Sequence, residues 1–203
     1  MFYEPSAGHG LPYDPFKAIV APRPIGWIST IDMSGCPNLA PYSFFNAISS
    51  RPPMVVFSSE GMKDSSKNAK IMGEFVYNLA TLPLAQAMSD SSASLPHGES
   101  EFEAAGLEMA PSRLVSPPRV AASPAALECR VAHFTELHDL EGNATDRFLV
   151  IGQVVGVHID ESFLREGRFD TAAAQVLARC GYRDYSVVQR VFELLRPDEA
   201  TGR

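Results

Sequence analysis

Apolar and polar positions alternate along PIGWISTID (residues 24–32), with Ile25, Trp27, Ser29 and Ile31 on one face and Gly26, Ile28 and Thr30 on the other. A period of two with many β-branched residues predicts a strand. DMSGCPN (residues 32–38) supplies turn formers, with Gly35 able to take a positive φ, and NLAPYSF then reads as a second extended segment closing a hairpin. PMVVFSS (53–59) predicts a third strand, led in by Pro52 and Pro53 where proline is tolerated. A short helix is expected over 66–72, capped by Asp64 or Ser65 and ended by Gly73. EFVYNLAT (74–81) returns to strand, and PLAQAMSDSSA (83–93) opens with proline at a first helical turn. Residues 94–119 are irregular with small helical pieces, a length that suits a functional cover or an interface element better than a passive link. AALECRVAHFTELHDL and RFLVIGQVVGVHID predict a long hairpin around EGNATD, and the tail from 169 mixes turns with an extended piece. Strand follows strand at short spacing, so the pattern predicts a mainly β, antiparallel barrel or closed sheet with short helical insertions, not a βαβ repeat.

Composition narrows the class. The 203 residues, 45% hydrophobic, suit a single domain over 1–203, with an arm over 1–22 and a C-terminal extension from about 160. No apolar run approaches the roughly 18 residues that cross a bilayer, and the N-terminus has no signal-peptide pattern; the expectation is a cytoplasmic protein without a membrane partner. Three scattered cysteines form no CxxC pair, which argues against a disulfide framework or a cysteine metal site. The net charge of −7 disfavours nucleic acid as a partner, and it requires any anionic ligand to be held by a local basic cluster.

The candidate chemistry lies in four places. Glycine-loop nucleotide motifs and a GxSxG are absent, and the five histidines, His97 among them, have no metal-ligand spacing, so no metal is expected. KDSSKNAK puts Lys63, Ser65, Ser66 and Lys67 at a helix start, which suits an anion, although Asp64 opposes one and a solvated capped helix fits equally. In PYSFFNAISSRPP, Tyr42, Phe44 and Phe45 could wall a slot for a planar ligand, with Ser43 and Asn46 as polar contacts; a buried crossover explains the same residues. His158 shares a strand face with Val154 and Gly156 and is a candidate substrate contact, though such a histidine is more often structural. Tyr182, Arg183 and Tyr185 follow a glycine and could close over a ligand or form an oligomer contact.

PRPIGWISTID, NLAPYSFFNAISSRPPMVVFS, KDSSKNA, GEFVYNLAT, ECRV and GQVVGVHID, in that order, resemble the flavin reductase-like, FMN-binding split-barrel family over about residues 15–190. The resemblance implies a six-stranded Greek-key split β-barrel and a homodimer with FMN near the interface. It implies FMN contacts from Ala40, Pro41, Tyr42, Ser43, Phe44 and Asn46, and a phosphate site from Ser58, Ser59, Lys63, Ser65 and Lys67. Arg23 would lie near the phosphate or the pocket edge, with Tyr182 and Tyr185 reaching a flavin. No catalytic side chain is implied, because flavin N5 itself takes the hydride. The implied function is an NAD(P)H-dependent flavin reductase, with a monooxygenase as a partner that uses the reduced flavin. The alternative is an FMN-binding electron carrier, sensor or storage protein without pyridine-nucleotide turnover, and a barrel without cofactor is the third reading.

Overall fold

The computed structural model describes residues 1–96 and 98–197; His97 and positions 198–203 lie outside the described residues. The strands are β1 (Arg23–Pro24), β2 (Gly26–Ile31), β3 (Pro37–Tyr42), β4 (Phe45–Ser50), β5 (Pro53–Glu60), β6 (Glu74–Leu79), β7 (Met109–Ala110), β8 (Arg119–Val120), β9 (Ala125–His138), β10 (Ala144–Ile159), β11 (Leu164–Arg165), β12 (Arg168–Phe169), β13 (Leu177–Arg179) and β14 (Tyr185–Val187). The α-helices are α1 (Phe16–Ile19), α2 (Asp64–Met72), α3 (Ala85–Asp90) and α4 (Glu101–Ala104).

One antiparallel sheet runs in the order β3-β2-β6-β9-β10-β5-β4. β3 and β4 stand at its opposite ends, yet only Ser43 and Phe44 separate them in sequence. Three Cα–Cα steps from Tyr42 to Phe45 reach at most about 11 Å, roughly two strand spacings. The two edges must therefore meet, and the sheet is rolled into a barrel closed by the chain itself at that bend. Counted as one bent strand, β3 and β4 leave six barrel strands, as the resemblance implies. NLAPYSFFNAISSRPP is thus two strands with a crossover between them. β1 pairs with β13, and β13 with β14, in a small second sheet that ties the tail to the start of the barrel.

Both faces of β2 are covered, which is why its polar residues are as buried as its apolar ones. Ile28 points into the barrel with Phe45, Val55, Phe57, Phe75 and Val150. Ile25 and Trp27 face a second cluster with Leu39, Met88, Phe102, Val120 and Leu177. Removing a large side chain such as Phe57 from water contributes about 1.5–3 kcal/mol. Ser29 and Thr30 are fully buried and both are hydrogen-bonded: Ser29 Oγ donates to the Pro118 carbonyl at 2.5 Å, and Asn68 Nδ2 donates to Thr30 Oγ1 at 3.3 Å. Gly26 is required by packing, since a Cβ there would stand 2.5 Å from the Phe45 ring. Phe45 stacks on Tyr77 with centroids 4.7 Å apart.

Within the 98–119 stretch the chain forms a cover pinned to the barrel. Glu128, fully buried on β9, accepts the Arg113 and Leu114 amides at 2.7 and 2.6 Å and meets His158 Nε2 at 2.5 Å. Glu74 accepts the Ser116 amide, and Asn78 Oδ1 accepts that of Val120. Burial pushes the Glu128 carboxyl pKa up, but the hydrogen bonds from His158, Arg113 and Leu114 outweigh it and hold the group below its ordinary value.

The helix after β5 begins two residues earlier than the pattern predicts. Lys63, in extended conformation, is the N-cap of α2, and neither Asp64 nor Ser65 caps it. Ser66 Oγ donates to the Lys63 carbonyl, and Gly73 ends the helix at φ 72° as expected.

Candidate flavin site

The barrel has an open seam. β4 pairs with β5 only as far as Phe45 opposite Phe57, so Ser58 and Glu60 continue past the end of that ladder. Across from them runs the free edge of β3, whose other side pairs with β2. Pro41 has no N–H to offer on that edge, the place where a sheet accommodates proline. A cavity of about 820 Å³ fills the seam. Ala40, Pro41, Tyr42, Ser43 and Phe44 line one side, Ser58 and Glu60 the other, and Lys63, Asp64 and Ser65 its end.

That end is where α2 begins. The first backbone bond inside the helix is from the Lys67 amide to the Lys63 carbonyl, so the amides of the first turn have no intrahelical partner. Ser65 is buried, and its Oγ accepts from Asn38 Nδ2 at 2.8 Å. Tyr42 packs on Phe57 with ring centroids 4.9 Å apart. Burial raises the pKa of its hydroxyl, and the neighbouring Ser65 and Ser59 side chains oppose the rise. The cavity is electrically mixed. Lys17, Lys63 and Arg147 face it, with Arg147 bonded to Glu60 at 2.5 Å. Glu101 also lines it; burial lifts its carboxyl pKa, although its side chain accepts the Leu39 amide at 2.9 Å.

Of the residues singled out in the sequence, eight line this cavity: Ala40, Pro41, Tyr42, Ser43, Phe44, Ser58, Lys63 and Ser65. Four do not. Asn46 is exposed on β4 and accepts the Ala47 amide with its own side chain, because alternation after the bend turns Phe45 inward and Asn46 outward. Ser59 is fully buried and donates to the Gly61 carbonyl. Lys67 is exposed one helical turn beyond Lys63. His158 is bonded to Glu128 under the cover and lines neither this cavity nor its neighbour. Arg23, Tyr182 and Tyr185 line an adjoining cavity of about 220 Å³. Arg23 is buried there, its guanidinium donating to the carbonyls of Lys17, Val20 and Cys180. Sequence reading missed Lys17, Asn38, Arg147 and the 91–95 segment, which reach the cavity from distant parts of the chain and carry no local motif.

A flavin mononucleotide suits these features. Its phosphate matches unpaired helix-start amides beside a lysine and a hydroxyl, and a volume within the common range of roughly 300–1,000 Å³ for ligand pockets suits a molecule of that size.

The family model for a flavin reductase like domain matches residues 20–177. The chain belongs to the flavin reductase-like family. Within it, a Deinococcus radiodurans protein of uncharacterized role is 37% identical over 197 residues, covering 91% of this chain and 84% of that one. A Halalkalibacterium halodurans relative, BH2278, also uncharacterized, is 34% identical, covering 91% and 90%. Among solved structures, nitrilotriacetate monooxygenase component B from Bacillus cereus superposes with a TM-score of 0.86 at 29% identity, covering 96% of this chain and 98% of that one. A Shewanella frigidimarina structure described as a flavin reductase with a split barrel domain superposes with a TM-score of 0.80 at 21% identity, covering 89% of each chain, so the fold is the split barrel. Membership of the family makes the chain a flavin-related oxidoreductase. None of its described helices is long and apolar enough to cross a membrane.

Proposed function

We propose that the protein binds FMN in the seam cavity and works as an NAD(P)H-dependent flavin reductase. The observation that supports this reading is the convergence, in one cavity, of the α2 start with the β3–β5 seam. Lys63, Ser65 and the first-turn amides would hold the phosphate. Ala40 to Phe44 would run along the ring and ribityl chain, with Ser43 as a polar contact. Bound FMN supplies hydride acceptance at N5, so the protein's share is binding, orientation and exclusion of water. The hydrogen bond from Asn38 to Ser65 would hold the phosphate end in shape before a ligand arrives.

We place the protein in the cytoplasm as a homodimer, with the flavin near the interface. Phe44 and Ile48, large apolar side chains exposed at and beyond the bend, favour a covering subunit there. A monooxygenase that consumes reduced flavin is the proposed physiological partner, by analogy with the component B protein.

The test is a visible spectrum of the purified protein titrated with FMN, then mixed anaerobically with NADH or NADPH. Bleaching of the flavin band with turnover of either nucleotide is expected. Tight FMN binding without turnover would favour the carrier, sensor or storage reading, and failure to bind FMN would remove both. Light scattering during size-exclusion chromatography checks the dimer.

A further inference from the structure

The 220 Å³ cavity beside the seam carries an unbalanced charge. Lys17, Arg23 and Arg179 line it, and no acidic residue does. None of the three cations lies within salt-bridge distance of a carboxylate among the described residues. Arg23 is the telling case: only 7% exposed, it has backbone carbonyls as its hydrogen-bond partners, and its Nε has no partner. A buried cation without a counter-charge is costly, and buried charges are ordinarily paired. In a chain of net charge −7 the absence of an acid here is not a matter of supply.

Beside the cations the wall carries apolar and aromatic side chains, with Ser43 and Ser92 as its uncharged polar members. Ile25 and Met88 form the floor, and Tyr182 and Tyr185 stand beside the cations, with Arg179 lying 4.4 Å from the Tyr185 ring centroid. The wall is locked in place. Gly181 lies so close to α1 that a Cβ would meet that of Ala18 at 2.4 Å, and Arg179 donates to the Tyr182 carbonyl at 2.6 Å. Lys17, Pro41, Ser43 and Ser92 line both cavities, so a ligand can extend from one into the other.

We propose that this side cavity is a carboxylate subsite. It takes the acid group of a small, planar, largely apolar carboxylic acid whose body points past Pro41 and Ser43 into the seam. The volume is below the roughly 300 Å³ at which pockets for whole drug-sized ligands begin, so it holds the acid end of a molecule and not a dinucleotide. Two arginines suit a planar anion, and the tyrosines suit a flat body. That this acid meets a flavin rests on the function proposed above; the acid site itself does not.

Calorimetric titration of the purified protein, before and after FMN addition, tests it with benzoate, with benzamide as the uncharged isostere, and with inorganic phosphate. Benzoate is expected to bind at least tenfold more tightly than benzamide and phosphate. Arg179→Gln should weaken benzoate at least tenfold and FMN less than twofold. Lys17→Gln, a change at an exposed side chain that threatens no packing, should weaken benzoate severalfold. Equal binding of benzoate and benzamide, or no binding of benzoate, overturns the proposal, as does phosphate binding as tightly as benzoate. An Arg179→Gln loss for FMN as large as that for benzoate assigns the cavity to the flavin instead and also overturns it. Benzoate binding that survives when FMN does not bind would refute the flavin reading alone.

Discussion

Replacing Glu128 by Gln removes a charge and an acceptor while keeping the shape, at the point where the cover is fastened to the barrel. Three donors converge on the carboxylate: the Leu114 amide on one oxygen, and the Arg113 amide with His158 Nε2 on the other. Glutamine offers one carbonyl oxygen and one NH2 group, so whichever way it is turned, a backbone N–H faces another donor. An unsatisfied buried donor costs about 1–3 kcal/mol, and hydrogen bonds to a charged group are worth about 1.5–3 kcal/mol. Together these put the cost of Glu128→Gln at about 2.5–6 kcal/mol at pH 7. The pH dependence gives a second handle. The folded-state pKa lies below the ordinary value of 4.5, so the carboxylate's contribution is fully present above that value and is lost as pH falls through the folded pKa. Glutamine does not titrate, so the gap between wild type and variant should shrink in that window. Urea denaturation at pH 7 and at steps below pH 4.5 measures it, and hydrogen exchange of the 113–116 amides locates it. A gap under 1 kcal/mol at pH 7, or one that stays constant as the acid range is entered, would refute this account of the fastening.

Other substitutions bear on separate parts of the molecule. Lys63→Ala should weaken FMN about tenfold, equivalent to ~1.4 kcal/mol, and riboflavin less than twofold; Lys67→Ala, outside the cavity, should change FMN binding less than threefold, and fluorescence titration reads both. Gly152→Ala would put a Cβ 2.4 Å from the fully buried Phe75 ring, an overpacking expected to cost about 1–3 kcal/mol in urea denaturation. Gly73→Ala, at φ 72° where α2 ends, should cost about 1 kcal/mol by the same measurement. Cys129, fully buried with its thiol pushed up to about 12 by burial and by the Glu128 charge, should resist maleimide in the native protein and react after unfolding, as mass spectrometry of labelled peptides would show.

Local periodicity made the strands legible. The alternation through 24–32 became β2, the long apolar runs became β9 and β10, and Gly35 and Gly73 took the positive φ their positions suggested. What local pattern does not carry is which edge meets which. NLAPYSFFNAISSRPP looks irregular because it serves two strands at opposite edges of one sheet, and its apolar residues answer to different neighbours: Phe45 to Tyr77 and Gly26, Tyr42 to Phe57. The site divides the same way. Lys63 and Ser65 were readable because a helix start concentrates its chemistry within a few residues. Lys67 and Asn46 lie outside the cavity, since one further helical turn or one strand position aims a side chain elsewhere. Lys17 and Arg147 were invisible because only closure of the barrel brings positions 17 and 147 to the same opening.

That closure has a consequence for how the protein protects itself. Exposed strand edges invite pairing with other chains, and proteins usually blunt or cover them. Here the two edges that flank the seam are hidden by being turned toward each other, with a space left between them for a guest. A ligand lodged in that space would act as a keystone, filling a gap that backbone pairing leaves in the wall. Its loss would then be felt first at the rim, along Asn38 to Tyr42 and Ser58 to Glu60, and as a greater tendency of the vacant protein to associate edge to edge.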